Sequence, residues 1–195
     1  MSLARSTDPL VWIDCEMTGL NPTTDTILSL SCYITDAHLN LLDPTGYHAT
    51  ITTPKTALDA MDSWCTRTHT ESGLVAACQS DSAVPAAQAA AELLQYIKSY
   101  VPTQKKALLA GNSVHADKMF LMREPWAEVL GWLHYRIFDV SSIKEGVRRW
   151  CSNDVIRKVP AKKLAHTAEE DVKESIEEAR YYMGLFERLE RGDGD

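Results

Sequence analysis

The chain has 195 residues, 45% of them hydrophobic, and a formal net charge of -7 at pH 7. Length and apolar content fit one globular domain with a full core, and the acidic balance argues against a protein that grips long nucleic acid through its overall field. No apolar run approaches the roughly 18 residues that a membrane span needs, and the five scattered cysteines, without a C-x-x-C pair, give no zinc-site spacing and suit a reducing compartment.

The start, "MSLARSTDPL", lacks the apolar core of a secretory signal and is too short for an amphipathic transit peptide. An intracellular protein is expected, with cytoplasmic and mitochondrial locations both open. Residues 10–16 and 26–34 read as strands, with Gly19, Asn21 and Pro22 marking the turn between them. A third strand near 47–52 completes an opening meander. "SAVPAAQAAAELLQYIKSYV" reads as a helix, with Pro85 in its first turn. "KALLAGNS" is a short apolar strand entering a Gly-Asn-Ser turn, and a helical pattern follows through Met119, Phe120 and Met122. "YRIFDVSS" is a further strand, after which Ser141 or Ser142 is expected to cap the helix "IKEGVRRW". The last helix has apolar positions 168, 172, 176, 179, 183, 186 and 189, spaced by three and four. Thr167 followed by Glu170 is a capping box at its start, which puts His166 just outside the helix and Asp171 in its first turn. Three strands followed by strands alternating with helices describe an α/β domain with a mixed sheet.

The acids carry the chemistry. In "VWIDCEMTGL" a strand alternates faces, so Asp14 and Glu16 point the same way and Cys15 the other. Two adjacent carboxylates repel, and burying them costs several kcal/mol unless a cation compensates. Asp117 and Asp171 also stand at strand ends or helix starts, where ligands of α/β folds bind. Hard carboxylate oxygens without sulfur or imidazole ligands suit Mg²⁺ or Mn²⁺. Two such ions, roughly 3.5–4 Å apart, activate a water and stabilise the leaving oxygen of a phosphodiester. A histidine of near-neutral pKa, such as His166, is a fitting proton acceptor. Charge distribution agrees with a short substrate. Residues 168–195 hold ten acids and four bases, and the remainder is close to neutral, with a local basic cluster at Arg157, Lys158, Lys162 and Lys163. A few phosphate contacts and metal ions then replace a long basic groove. A thiol hydrolase built on Cys15 and His166 is disfavoured by strand alternation, and a dead binding module by the complete set of acids.

The order D-x-E, a distant Asp, then H-x4-D resembles the DEDDh family of 3′→5′ exonucleases. Over nearly the whole chain, "WIDCEMTGL", "MDSWCTRTH", "GNSVHADKMFL", "HYRIFDVSSIKEGVRRW" and "HTAEEDVKES" resemble its oligoribonuclease branch. The resemblance implies a ribonuclease H-like, mixed five-stranded sheet flanked by helices, as a single exonuclease domain over 10–190 between tails at 1–9 and 191–195. It implies hydrolysis of very short RNA from the 3′ end to nucleoside 5′-monophosphates, with two Mg²⁺ or Mn²⁺ ions. Asp14, Glu16 and Asp171 would hold the first ion, and Asp14 the second with Asp117 acting through water. His166 would be the general base. Leu20 would wedge beside a base, Trp64 and His69 would stack on the terminal nucleotides, and Ser113, Tyr135, Arg136 and Ser141 would cap the 5′ phosphate. The resemblance also implies a homodimer in which "HYR" reaches the partner's site. Glu170 departs from the pattern, since many relatives carry Asp there, but the charge is kept.

Overall fold

The computed structural model describes residues 6–161 and 167–192. His166, Lys162 and Lys163 lie outside them. In chain order the elements are β1 (Leu10–Met17), β2 (Ile27–Thr35), β3 (Tyr47–Thr50), α1 (Lys55–Asp59), α2 (Ser63–Glu71), α3 (Leu74–Ala77), α4 (Ala86–Tyr100), β4 (Leu108–Gly111), α5 (His115–Leu121), α6 (Ala127–Trp132), β5 (Ile137–Asp139), α7 (Val140–Trp150), α8 (Asn153–Arg157) and α9 (Ala168–Arg191). The five strands form one mixed sheet of order β3-β2-β1-β4-β5. β1, β2 and β3 pair antiparallel, while β4 and β5 run parallel to β1. The carboxyl ends of β1, β4 and β5 therefore share one edge. This is the ribonuclease H-like arrangement that the sequence implied.

Period-two alternation divides β1 between two cores. Val11, Ile13 and Cys15 face a core with Leu93 and Ile97 of α4 and Phe120 and Leu121 of α5. Trp12 faces the other way, packing with Tyr33, Ala110 and the α9 residues Val172, Ile176, Ala179 and Tyr182. Full burial of a side chain of this size contributes about 1.5–3 kcal/mol. The Trp12 indole N–H donates to Thr35 Oγ1 at 3.0 Å, so its polar atom is satisfied inside the core. Asp14 and Glu16 continue the Trp12 face toward the strand's carboxyl end, where the cover of α9 begins.

Several boundaries differ from the sequence reading. Pro85 is the cap residue of α4 and not part of its first turn. The cap of α7 is Asp139, whose side chain accepts the Ser141 N–H, and not Ser141 or Ser142. A carboxylate that also accepts the Ser113 N–H at 2.9 Å has more donors to satisfy than a serine could. The apolar stripe of α9 is buried at Val172, Ile176 and Ala179, but Phe186 and Leu189 are exposed because Tyr182 is the last α9 residue in the core. Helices α1, α2 and α3 escaped the sequence reading because they are short. They bury only Leu58, Cys65 and His69 of their own residues, which leaves no helical period to read.

Candidate active site

The parallel strands deliver the site residues to their shared carboxyl edge. On β1, Asp14 pairs across to Ser31 and Glu16 to Ser29 of β2, so both carboxylates stand on the face that α9 crosses. On α9, Thr167 accepts the Glu170 N–H at 3.4 Å and so caps the helix as its sequence implied. One turn in, Asp171 faces the sheet. Asp14, Glu16 and Asp171 each offer a carboxylate oxygen, and these oxygens lie within 4.8 Å of one another. These are three of the four acids that the sequence reading grouped, and His166 lies outside the described residues.

Asp117 joins it from the opposite side. It sits in the first turn of α5, is buried, and its Oδ1 accepts the Cys15 N–H at 2.9 Å. That bond ties α5 to the backbone between the two β1 acids. Burial raises the Asp117 carboxyl to about 7 against the opposing pull of the Cys15 N–H, with Asp139 adding repulsion. Burial also raises Glu16 to about 7, helped by the charges of Asp171 and Asp117. Such crowding is costly for a protein by itself and is offset by a divalent cation, and the all-oxygen donor set suits a hard one. The same burial lifts the Cys15 thiol well above its ordinary range, which removes it as a thiolate nucleophile.

The expected substrate residues fall into three groups. Leu20 and Trp64 are exposed, at 77% and 52%, and so are open to a ligand. Leu20 is displayed by a loop in which Asp25 accepts from the Thr18 hydroxyl and the Asn21 N–H. Gly19 is needed there, since a Cβ would come within 2.5 Å of the Asp25 carboxylate. Ser113 and Ser141 meet between β4 and β5, their hydroxyl oxygens 3.1 Å apart. Tyr135 and Arg136 form an exposed knuckle, with the Tyr135 ring stacked on His134 and the Arg136 guanidinium 5.3 Å from the Tyr135 centroid.

His69 differs from its expectation. Its ring is only 1% exposed, so it presents no open face to a base. Nε2 donates to the Met17 carbonyl at 2.9 Å, while Nδ1 lies 3.9 Å from Glu16. The residue closes the floor behind Glu16. Sequence missed this because a histidine in a polar helix gives no sign of which face is covered. Beside Glu16, a cleft of about 460 Å³ continues over Ser29, Ser31, His48 and Thr50 toward the β3 edge.

Fold and acid cluster together define a metal-dependent nuclease of the ribonuclease H-like class. Residues 11–179 match the exonuclease family RNase_T. The chain is 44% identical over 185 residues to "Oligoribonuclease, mitochondrial" of Saccharomyces cerevisiae, covering 91% of this chain and 67% of that protein. It is 43% identical to "Oligoribonuclease" of Hydrogenovibrio crunogenus, over 93% of this chain and 96% of that one. Among solved structures, an E. coli exonuclease I complex with a dT13 oligonucleotide superposes with a TM-score of 0.65 at 17% identity, covering 93% of this chain and 43% of that one. That likeness supports the fold, and the chain spans less than half the length of the exonuclease I chain. The chain belongs to the exonuclease family and, within it, to the oligoribonucleases, and it is a hydrolase of nucleic acid. No helix among the described residues is long and apolar enough to cross a membrane.

Proposed function

We propose that this protein is a 3′→5′ exoribonuclease that reduces RNAs of two to a few nucleotides to nucleoside 5′-monophosphates. The observation that carries the chemistry is the convergence of Asp14, Glu16 and Asp171 oxygens within 4.8 Å, with Asp117 beside them. These acids would hold two Mg²⁺ or Mn²⁺ ions, Asp14 shared between them and Asp117 reaching the second through water. When bound, such ions make a water acidic enough to attack and offset charge on the scissile phosphate and leaving oxygen. His166, one residue before the Thr167 cap, takes the proton from the attacking water. Leu20 and Trp64 offer apolar surface to the terminal nucleotides, and Tyr135, Arg136 and the Ser113–Ser141 pair line the place of the 5′ phosphate, with the Arg136 guanidinium as its donor. A binding site closed at the 5′ end explains why an acidic chain suffices: few phosphates need to be held.

A homodimer belongs to the same reading, with Tyr135 and Arg136 of one copy completing the site of the other. The test is a product ladder from labelled RNAs of two nucleotides upward, with EDTA and with Mg²⁺ or Mn²⁺ restored. Metal-dependent release of mononucleotides, fastest from the dinucleotide, is expected. Faster turnover of a 20-mer would overturn the short-substrate reading.

A further inference from the structure

Asp25 lies in the loop between β1 and β2, and its carboxylate bonds inward to that loop. Oδ1 accepts from the Thr18 hydroxyl at 3.1 Å and Oδ2 from the Asn21 N–H at 2.9 Å. The Thr18 oxygen, its one proton given to Asp25, accepts the Thr26 N–H at 3.1 Å. Backbone bonds add to this at both ends: the Thr18 N–H donates to the Thr26 carbonyl at 3.0 Å, and the Asp25 N–H to the Asn21 carbonyl at 2.8 Å. Thr18 and Asn21 are therefore fixed, and the carboxylate bridges them. Between them stand Gly19 and the exposed Leu20. The carboxylate also fills the space beneath Gly19, where the three atoms nearest to an added Cβ all belong to Asp25.

Freedom in the Gly19–Leu20 segment is what this carboxylate limits. Glycine has the widest choice of backbone angles, and an exposed leucine beside it would otherwise sample many orientations. Each of those would have to be given up on meeting a ligand, at a cost in affinity. With both flanks bridged and the space under Gly19 occupied, the ordering is complete before the ligand arrives. We propose that Asp25 is a positioning residue for substrate binding: its carboxylate holds Leu20 in the orientation in which it packs beside a base of the RNA. This rests on the reading above that Leu20 offers its surface to a terminal nucleotide.

A double-mutant cycle on a dinucleotide tests it, with KM and kcat measured for Leu20→Ala, Asp25→Ala and the double variant, and Mn²⁺ affinity measured by calorimetry. Leu20→Ala should raise KM about ten-fold, the order of one apolar side-chain contact. Asp25→Ala should raise it about five-fold. The double variant should be no worse than Leu20→Ala, because the loosened loop then has no leucine to aim. Throughout, kcat should stay within about two-fold and Mn²⁺ affinity should hold, since Asp14 and Glu16 precede the loop on β1. Asp25→Asn keeps the shape with one acceptor oxygen for two donors, and its KM should fall between wild type and Asp25→Ala. A merely structural brace would multiply the two effects to about fifty-fold in the double variant, or lower kcat and Mn²⁺ affinity along with binding. Either result overturns the inference, as does a wild-type KM in Asp25→Ala. If Asp25→Ala does not fold, Asp25→Asn takes its place in the cycle, and if neither folds the residue is structural and the inference falls. Leu20→Ala separates the two claims. If it keeps the wild-type KM, Leu20 does not meet a base and both claims fall. If it raises KM while Asp25→Ala does not, the role of Asp25 alone falls.

Discussion

Asp14 and Glu16 share a strand face with Asp171 opposite, and burial together with the charges of Asp171 and Asp117 raises the Glu16 carboxyl to about 7, a cost that a bound cation would offset. Asp14→Asn should therefore separate function from folding. Turnover is expected to vanish and divalent-metal affinity to fall by several kcal/mol, while the melting temperature in EDTA holds or rises as one repulsion is removed. Metal titration calorimetry, the ladder assay and a thermal melt together check this, and near-normal hydrolysis by the folded variant would sink the two-metal reading. The raised acids give a pH dependence of definite sign. With Glu16 and Asp117 both near 7 in the folded, metal-free protein, the folded state keeps protons that the unfolded chain has already lost. The stability they contribute is fully present below the ordinary carboxylate range and is lost as pH rises through about 7. In EDTA the protein should melt several degrees lower at pH 8 than at pH 5.5, and Mg²⁺ should recover stability at pH 8 far more than at pH 5.5. Equal melting temperatures in EDTA at the two pH values would show that these carboxyls are not destabilised. For His166, replacement by Ala should lower turnover by roughly 10²–10⁴ while metal affinity stays, as loss of a general base does. A wild-type rate and pH profile in that variant would remove His166 from the chemistry.

At the scale of elements, the start of α9 decides where Asp171 stands. Thr167 accepts the Glu170 N–H, and the helix N-terminus favours the negative charge of Asp171 beside it. Thr167→Ala should cost about 1 kcal/mol of stability, the usual worth of such a cap. Because the first turn then frays, metal affinity should fall as well. Urea unfolding and metal titration measure both, and a loss of stability with metal affinity intact would show that packing of Val172 and Ile176 fixes Asp171 without the cap. This element was legible in the sequence because two local signals coincide, a capping box and a three-four apolar spacing. The D-x-E pair was legible because a period of two puts both acids on one face whatever the rest of the fold does. Helix α2 was not, since nine mostly polar residues carry no period, and the burial of His69 depends on the Met17 carbonyl and Glu16 across the chain. The cap of α7 was ambiguous for another reason. The sequence reading put it at Ser141 or Ser142, and it falls to Asp139 because that carboxylate also accepts the Ser113 N–H from beside β4.

At the scale of the whole molecule, the exposed knuckle at Tyr135 and Arg136 is the surface that the proposed homodimer would use. Tyr135 is 70% exposed, its ring stacked on His134 and 5.3 Å from the Arg136 guanidinium, with the Lys118 ammonium donating to the Tyr135 carbonyl. Internal bracing of this kind lowers the entropy lost when the knuckle meets a partner. In the shared-site reading each active site takes its acids from one chain and its phosphate-binding Arg136 from the other, a contact suited to the planar fork of arginine. An Asp14→Asn chain and an Arg136→Ala chain should each be nearly inactive alone. Mixed by unfolding and refolding, about half of randomly paired dimers become heterodimers. In each heterodimer the Arg136→Ala chain has intact acids and receives Arg136 from its partner, while the reciprocal site lacks both. About a quarter of all sites should therefore recover, giving about a quarter of the wild-type rate on a dinucleotide. Native mass spectrometry verifies the heterodimer fraction. If heterodimers form and the rate stays at the level of the separate variants, Arg136 serves the site of its own chain and the two sites of the dimer are independent.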